Sequence, residues 1–327
     1  MPLTLKSMKR WAGPGIGMLL VAYLLWRMPW REVGQALGTV RPAWWFAALG
    51  LGAAGVWFRA LRLHWVLGAP EPMLGIWRSV ALGYLGGLVL PAGGGEVVKL
   101  RTLMKARGLD AVHAGSAVTL DRLLDLAGLA FGLALLGALQ DLPGSVGLLL
   151  RGMGLLLFAA GCSVVLLLSR GRAWAARWAT RPSNPHWLAA LARRVEAMLD
   201  AAGHLRGSQA WVRLLLLQAF ITAYEVLTTT IALRALPFGV PLPPWAGLQV
   251  VTFSAIGFAL PLLPGAAGSL QVACILALRP WGVSLQQALA YGLLAHLGHI
   301  LVVASHGGAA FLLGHGPRRK PQEPAAG

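Results

Sequence analysis

A chain of 327 residues carries 57% hydrophobic and only 12% charged residues, with a mean hydropathy of +0.66. Soluble domains carry roughly 25% charged residues because their surfaces face water, so the composition excludes an ordinary soluble domain. A net charge of +17 would suggest nucleic acid in a soluble chain, but the basic residues here lie between apolar segments and no nucleic-acid partner is expected. Attraction to anionic headgroups is the simpler reading.

The N-terminal MPLTLKSMKRW is basic and leads into the apolar run 13–30. It resembles the opening of a signal peptide, yet no small-residue cleavage pattern follows, and Arg27 and Arg31 flank its far end. It therefore reads as a retained first helix. Further spans, each near the ~20 residues that cross a hydrocarbon core, are predicted at 42–66, 115–139, 146–169, 212–236 and 284–313. Two other apolar stretches, 74–104 and 245–280, are interrupted by LVLPAGGGEVV (88–98) and LPLLPGAAGSLQ (260–271). Pro91 with Gly94, and Pro264 with Gly265, break the helix, and backbone groups freed at membrane depth must be met by protein or a wet cavity. The expectation is an all-α polytopic membrane protein of about six full spans plus two re-entrant or broken helix pairs. Residues 1–314 form a single transmembrane domain, with 170–211 as a basic amphipathic linker on the inner leaflet and 315–327 as a disordered cytoplasmic tail. Cys162 and Cys274 lie in apolar segments without metal-like spacing.

Arginine and lysine set the orientation. Lys6, Lys9 and Arg10 precede the first helix. Arg59, Arg62, Arg78, Lys99, Arg101, Lys105 and Arg107 surround the first break, eight arginines occupy 170–213, and Arg318, Arg319 and Lys320 end the chain. Six crossings put all four clusters, and both termini, on the cytoplasmic side of a bacterial inner membrane.

The two breaks also match each other. Pro91 to Glu96 aligns with Pro264 to Ser269, and Gly108 to Ala114 with Gly282 to Ala288. The same offset pairs Arg122 with His296 and Asp125 with His299. Repeat one (about 42–140) and repeat two (about 212–314), joined by the connecting span 146–169, thus read as an inverted repeat, the pattern that points to a midplane site in transporters.

Charge inside a span costs at least ~2.5 kcal/mol and needs a reason. Asp121, Arg122 and Asp125 have helical spacing that can place them on one face. Arg122 can be neutralised there or can hold a lipid phosphate, and an ion pair locking two helices is an equal alternative. Glu96 follows a glycine run and opens a half-helix bearing Lys99 and Arg101, whose freed N–H groups and cations could cradle an anionic headgroup. Glu96 itself can cap the helix, pair with Arg122 or titrate, and Lys99, Lys105 and Arg107 can be topology markers. In the second copy Gln271, His296 and His299 take the corresponding places. A proton relay or headgroup hydrogen bonding suits the histidines, and no metal is expected without a third ligand. Glu225, among Thr222, Thr228 and Thr229, is a candidate for proton coupling or for a hydrogen bond between helices. No nucleotide-binding or hydrolase motif is visible, so no cofactor and no ATP-driven work is expected.

The segment PAGGGEVVKLRTLMKARGLDAVHAGSAVTLDRLLDLAGL (91–129) resembles the lysylphosphatidylglycerol synthetase transmembrane, flippase-like family. The likeness rests on Pro91, Gly95-Glu96, Lys99, Asp121-Arg122 and Asp125, with a second block at Pro264-Gly265 through Gly268 and Gln271. Lys99, Asp121, Gln271 and His296 stand where the family usually has Arg, Glu, Glu and Arg, so the second block brings no carboxylate. The chain ends soon after its last span, so the soluble aminoacyl-transferring domain of full-length synthetases, and lysine transfer with it, is not expected here. The resemblance implies lipid translocation; together with the reading of the residues it gives Gly95, Glu96, Lys99, Arg101, Asp121, Arg122, Asp125, Gly268, Gln271, His296 and His299 as the expected substrate-binding residues, and membrane lipids, anionic ones first, as the expected partners. A membrane glycosyl or acyl transferase using Glu96 and Asp121 on a lipid carrier, glycolipid or hopanoid is the alternative, as is an accessory partner of a separately encoded lipid-pathway enzyme.

Overall fold

Pro42, placed in a first turn where its missing N–H costs nothing, starts a long helix that ends when Gly68 turns left-handed (φ 63°) and donates its N–H to the His64 carbonyl. Such start and stop signals delimit the helices of the computed structural model, which describes residues 30–68, 72–90, 93–107, 109–139, 208–259 and 264–314 and isolated positions between 152 and 196. The helices are α1 (Trp30–Gly38), α2 (Pro42–Leu67), α3 (Met73–Val89), α4 (Gly94–Arg107), α5 (Ala111–Leu139), α6 (Ser208–Leu233), α7 (Ala246–Ala259), α8 (Ser269–Leu278) and α9 (Leu285–Leu313). Short 3-10 turns at Pro264–Ala266 and Arg279–Trp281 flank α8. Asp110 caps α5, accepting the backbone N–H groups of His113 and Val112 at 2.8 and 2.9 Å. Those bonds, His113's first, hold its carboxyl below the usual carboxylate range.

Helices α2, α5, α6 and α9 are long and apolar enough to cross a membrane. At 26 to 29 residues each they reach about 39 to 44 Å, more than a hydrocarbon core needs. Each buries only a minority of its residues within the protein, and Phe46, Leu216, Leu301 and Leu312 are among the large apolar side chains left on the outside. In water such a surface would aggregate; in a bilayer it is the solvated face. The chain is a polytopic helical membrane protein.

The predicted spans 42–66, 115–139, 212–236 and 284–313 coincide with these four helices to within a few residues. The two interrupted stretches do break, into α3 and α4 and into α7 and α8. The first pair runs antiparallel at close range because both sides of the contact are glycine. A Cβ on Gly95 would lie 2.5 Å from the Gly83 carbonyl oxygen and 2.8 Å from the Gly87 nitrogen. The second pair is likewise antiparallel, with Gly257 against Ser269 and Ala273 and the Trp281 indole N–H donating to Gln249 at 3.0 Å. The breaks meet: Gly265, left-handed at φ 66°, sits against Leu88 near the end of α3. The expectations for 13–29, most of 146–169 and of the linker 170–207, the tail 315–327, and Pro91 lie outside the described residues.

Candidate functional site

Four helices each send ionisable side chains to one place. Arg59 and Arg62, three apart on α2, share a face, as do Asp121 and Asp125, four apart on α5, and Glu96 and Lys99, three apart on α4. Helix α6 adds Gln218 and Glu225.

The buried centre is Arg62, whose side chain is 1% exposed. Its Nε and Nη2 donate to Asp121 at 2.8 and 2.7 Å, and its Nη1 pairs with Asp125 at 2.8 Å and donates to the Gln218 carbonyl. The Gln218 amide donates onward to Thr222 at 3.3 Å. Asp121 uses its other oxygen for Lys99 Nζ at 2.9 Å, and Lys99 reaches Glu96 at 3.3 Å. Glycine makes room for this arrangement too: a Cβ on Gly83 would lie 2.9 Å from that of Lys99. A buried charge is tolerated only when paired and hydrogen-bonded, and here each has partners on other helices.

Around this centre runs a half-exposed rim. Arg59 holds Asp125 at 3.0 Å and Glu225 by a close ion pair. Arg122 holds Glu96 by a close ion pair and Asp125 at 3.4 Å. The Arg122 side chain is 51% exposed and that of Glu225 34%. The network is balanced, with four cations (Arg59, Arg62, Lys99, Arg122) against four carboxylates (Glu96, Asp121, Asp125, Glu225).

A second cluster is uncharged. The His296 ring bonds the Gly265 carbonyl through Nε2 at 3.0 Å, so that nitrogen carries the hydrogen. In the neutral ring Nδ1 then accepts from the Gln271 amide at 2.8 Å, and the Gln271 oxygen accepts the Gly268 N–H at 2.8 Å. The helix α9 is thereby tied to the turn of the second break. His299, one turn on, rests against the Phe258 ring at 4.8 Å between centroids.

Of the residues singled out in the sequence, Glu96, Lys99, Asp121, Arg122, Asp125 and Glu225 fall into one network, and Gly265, Gly268, Gln271 and His296 into another. Gly95 serves the contact between α3 and α4, and Gly94 opens α4. Arg101 is exposed, about 200° around the helix from Lys99, and does not reach the network. The triplet 121, 122, 125 does not act as one face: Asp121 turns inward to Arg62 and Lys99, while Arg122 turns outward, since adjacent helical residues diverge by about 100°. Arg59 and Arg62 stand in the sequence among the markers of a cytoplasmic loop, and in the structure they are the hub of the site. The signal for them was present: both fall inside the span predicted at 42–66, three apart, where charge needs a partner. Nothing in the sequence pointed to Gln218.

The family described as "Lysylphosphatidylglycerol synthase TM region" matches residues 10–307, nearly the whole chain. No curated protein matches the chain, and no solved structure does.

Proposed function

The chain belongs to the lysylphosphatidylglycerol synthase transmembrane-region family, and on that premise we propose that it is a flippase-like protein of the bacterial inner membrane that binds and translocates a lipid with an anionic headgroup. The observation that carries this reading is the rim of half-exposed charge on membrane helices, Arg122, Glu96, Asp125, Arg59 and Glu225. Charged side chains open to acyl chains would be costly, so the rim calls for a wet groove or a polar headgroup beside it. Arg122 is its most exposed cation, and a guanidinium fork suits a phosphate. Lys99 lies behind it and holds Glu96 and Asp121 in place.

The broken helices fit the same role. Their arms of 17, 14, 14 and 10 residues reach about 26, 21, 21 and 15 Å, each short of a ~30 Å core, which supports re-entrant hairpins. The two hairpins meet at Leu88 and Gly265, as the inverted repeats of a transporter would at the midplane. In this reading the lipid tails stay in the bilayer while the headgroup passes along the rim, and the Gln271–His296 tie closes the second hairpin against α9. Both termini face the cytoplasm, following the basic clusters of the sequence, and a separately encoded lipid-pathway enzyme supplies or consumes the lipid. No observation favours the transferase reading, since Glu96 and Asp121, the carboxylates it needs, are both engaged by cations.

Purified protein in liposomes carrying fluorescent phosphatidylglycerol tests this. The expected result is leaflet exchange, read by a membrane-impermeant quencher, with unchanged lipid masses. A modified lipid without exchange would establish an enzyme instead.

A further inference from the structure

Among the described residues the network has no spare cation. With four positive and four negative side chains, an anionic headgroup added at the rim would leave one uncompensated negative charge among membrane helices. Protein sites avoid that cost by neutralising a carboxylate. We infer that, granted the reading of the chain as a carrier of anionic headgroups, each headgroup is bound together with one proton, and that this proton goes to Glu225.

The choice of Glu225 follows from counting partners. Asp121 is held by Arg62 and Lys99, Asp125 by Arg59, Arg62 and Arg122, and Glu96 by Lys99 and Arg122. Glu225 touches one cation, Arg59, and Arg59 keeps Asp125 at 3.0 Å when Glu225 is neutral. Among the described residues it is thus the carboxylate with the fewest cations holding it ionised. It is also the most exposed of the four side chains.

Among the described residues, the charged groups around Glu225 are already paired. Helix α6 packs against α2, α5 and α7. From α2 the charged groups are Arg59, its partner, and Arg62, which turns to Gln218 and the aspartates. From α5 they are Asp125, on the far side of Arg59, and Asp121 beyond it. The segment Ala246–Ala259 of α7 contains no ionisable side chain. On α6 itself the Tyr224 hydroxyl donates to the Leu51 carbonyl at 2.8 Å. Tyr84 of α3 and His299 of α9 are the other titratable groups that face the Arg59 charge. The rim also supplies a relay. An anion that takes Arg122 loosens its hold on Glu96, which keeps Lys99, and on Asp125, which then serves Arg59 more fully, so that Arg59 releases Glu225 to its proton. The proton comes from bulk water and the carboxylate becomes a neutral acid, with no other bond changed.

The test is titration calorimetry of the full chain in micelles with dihexanoyl phosphatidylglycerol, repeated in buffers of different ionisation enthalpy to count protons. The expected result is uptake of about one proton per lipid, and an affinity that falls about tenfold per pH unit on the alkaline side. Glu225→Gln, which fixes the neutral form, should bind at high pH as tightly as the wild type does at low pH, with no proton exchanged. Wild-type binding without proton uptake overturns the inference while leaving the carrier reading intact, as does uptake that persists in Glu225→Gln or an affinity set by sodium rather than pH. Failure of any anionic probe to bind at any pH sinks the carrier reading and this inference together. The wild-type proton count stands whatever the fold of the variant.

Discussion

Replacing Arg62 by methionine keeps the bulk of an unbranched side chain but removes the contacts to Asp121 at 2.7 Å, to Asp125 at 2.8 Å and to the Gln218 carbonyl. The network is left with three cations against four carboxylates, and the deficit falls where exposure is lowest. Breaking a buried pair from one side costs about 3–5 kcal/mol, because the orphaned charge stays behind. Asp121 retains Lys99 at 2.9 Å and Asp125 retains Arg59 at 3.0 Å, so the loss should sit near the lower end, about 3 kcal/mol. Adding Asp121→Asn restores the balance at three against three, and the double variant should be more stable than the sum of the single losses by about 1–3 kcal/mol. Unfolding midpoints of the four proteins in mixed micelles, titrated with a denaturing detergent, give all the terms. Additive losses, or a loss below about 1 kcal/mol for Arg62→Met, would refute the claim that this arginine neutralises a buried pair of aspartates.

Three further outcomes follow from the packing and caps. Gly95→Ala should lower stability by about 1–3 kcal/mol, because the new methyl would sit 2.5 Å from the Gly83 carbonyl and push α3 from α4; thermal unfolding in detergent reads it. Gln271→Leu removes both the bond to His296 and the acceptor for the Gly268 N–H, and should cost about 1–3 kcal/mol with faster hydrogen exchange confined to the second break. Acidification should fray the first turn of α5: the Asp110 carboxyl is lowered by accepting the His113 and Val112 N–H groups, so its contribution is complete above about pH 4 and fades as pH falls through the lower folded value. Asp110→Asn keeps a capping oxygen and should remove that acid sensitivity, read as exchange protection at 111–113.

The spans and breaks were legible because they depend on local composition. Twenty apolar residues in a row, or a Pro-Gly interruption within them, carry their meaning without a partner. The same holds for the charges on α4 and α5, which stand out against an apolar background. Arg59 and Arg62 were not legible as site residues because a rule of counting treats arginines near a basic cluster as orientation markers, and only the position of α5 and α6 shows what they face. The direction of Arg122 was likewise decided by tertiary packing, with α4 bringing Glu96 to it from another part of the chain. Gln218 was invisible because a glutamine in a span acquires its role only when α2 brings Arg62 to it. Gly128 lets α5 pack beside it, since a Cβ there would lie 2.6 Å from the Gln218 amide. The charge balance of the site emerged only after both unforeseen arginines were added to the residues the sequence had marked.

The central claim is that the half-exposed rim on membrane helices handles a lipid headgroup, and leaflet exchange of fluorescent phosphatidylglycerol by Arg122→Ala in liposomes tests it most directly. Arg234, which stacks over Trp44 at 5.1 Å away from the rim, provides the comparison. The account predicts exchange by the wild type and by Arg234→Ala, and exchange reduced at least about tenfold in folded Arg122→Ala, the loss of roughly one charge-assisted bond. Equal exchange by all three proteins, or none by the wild type, would contradict it.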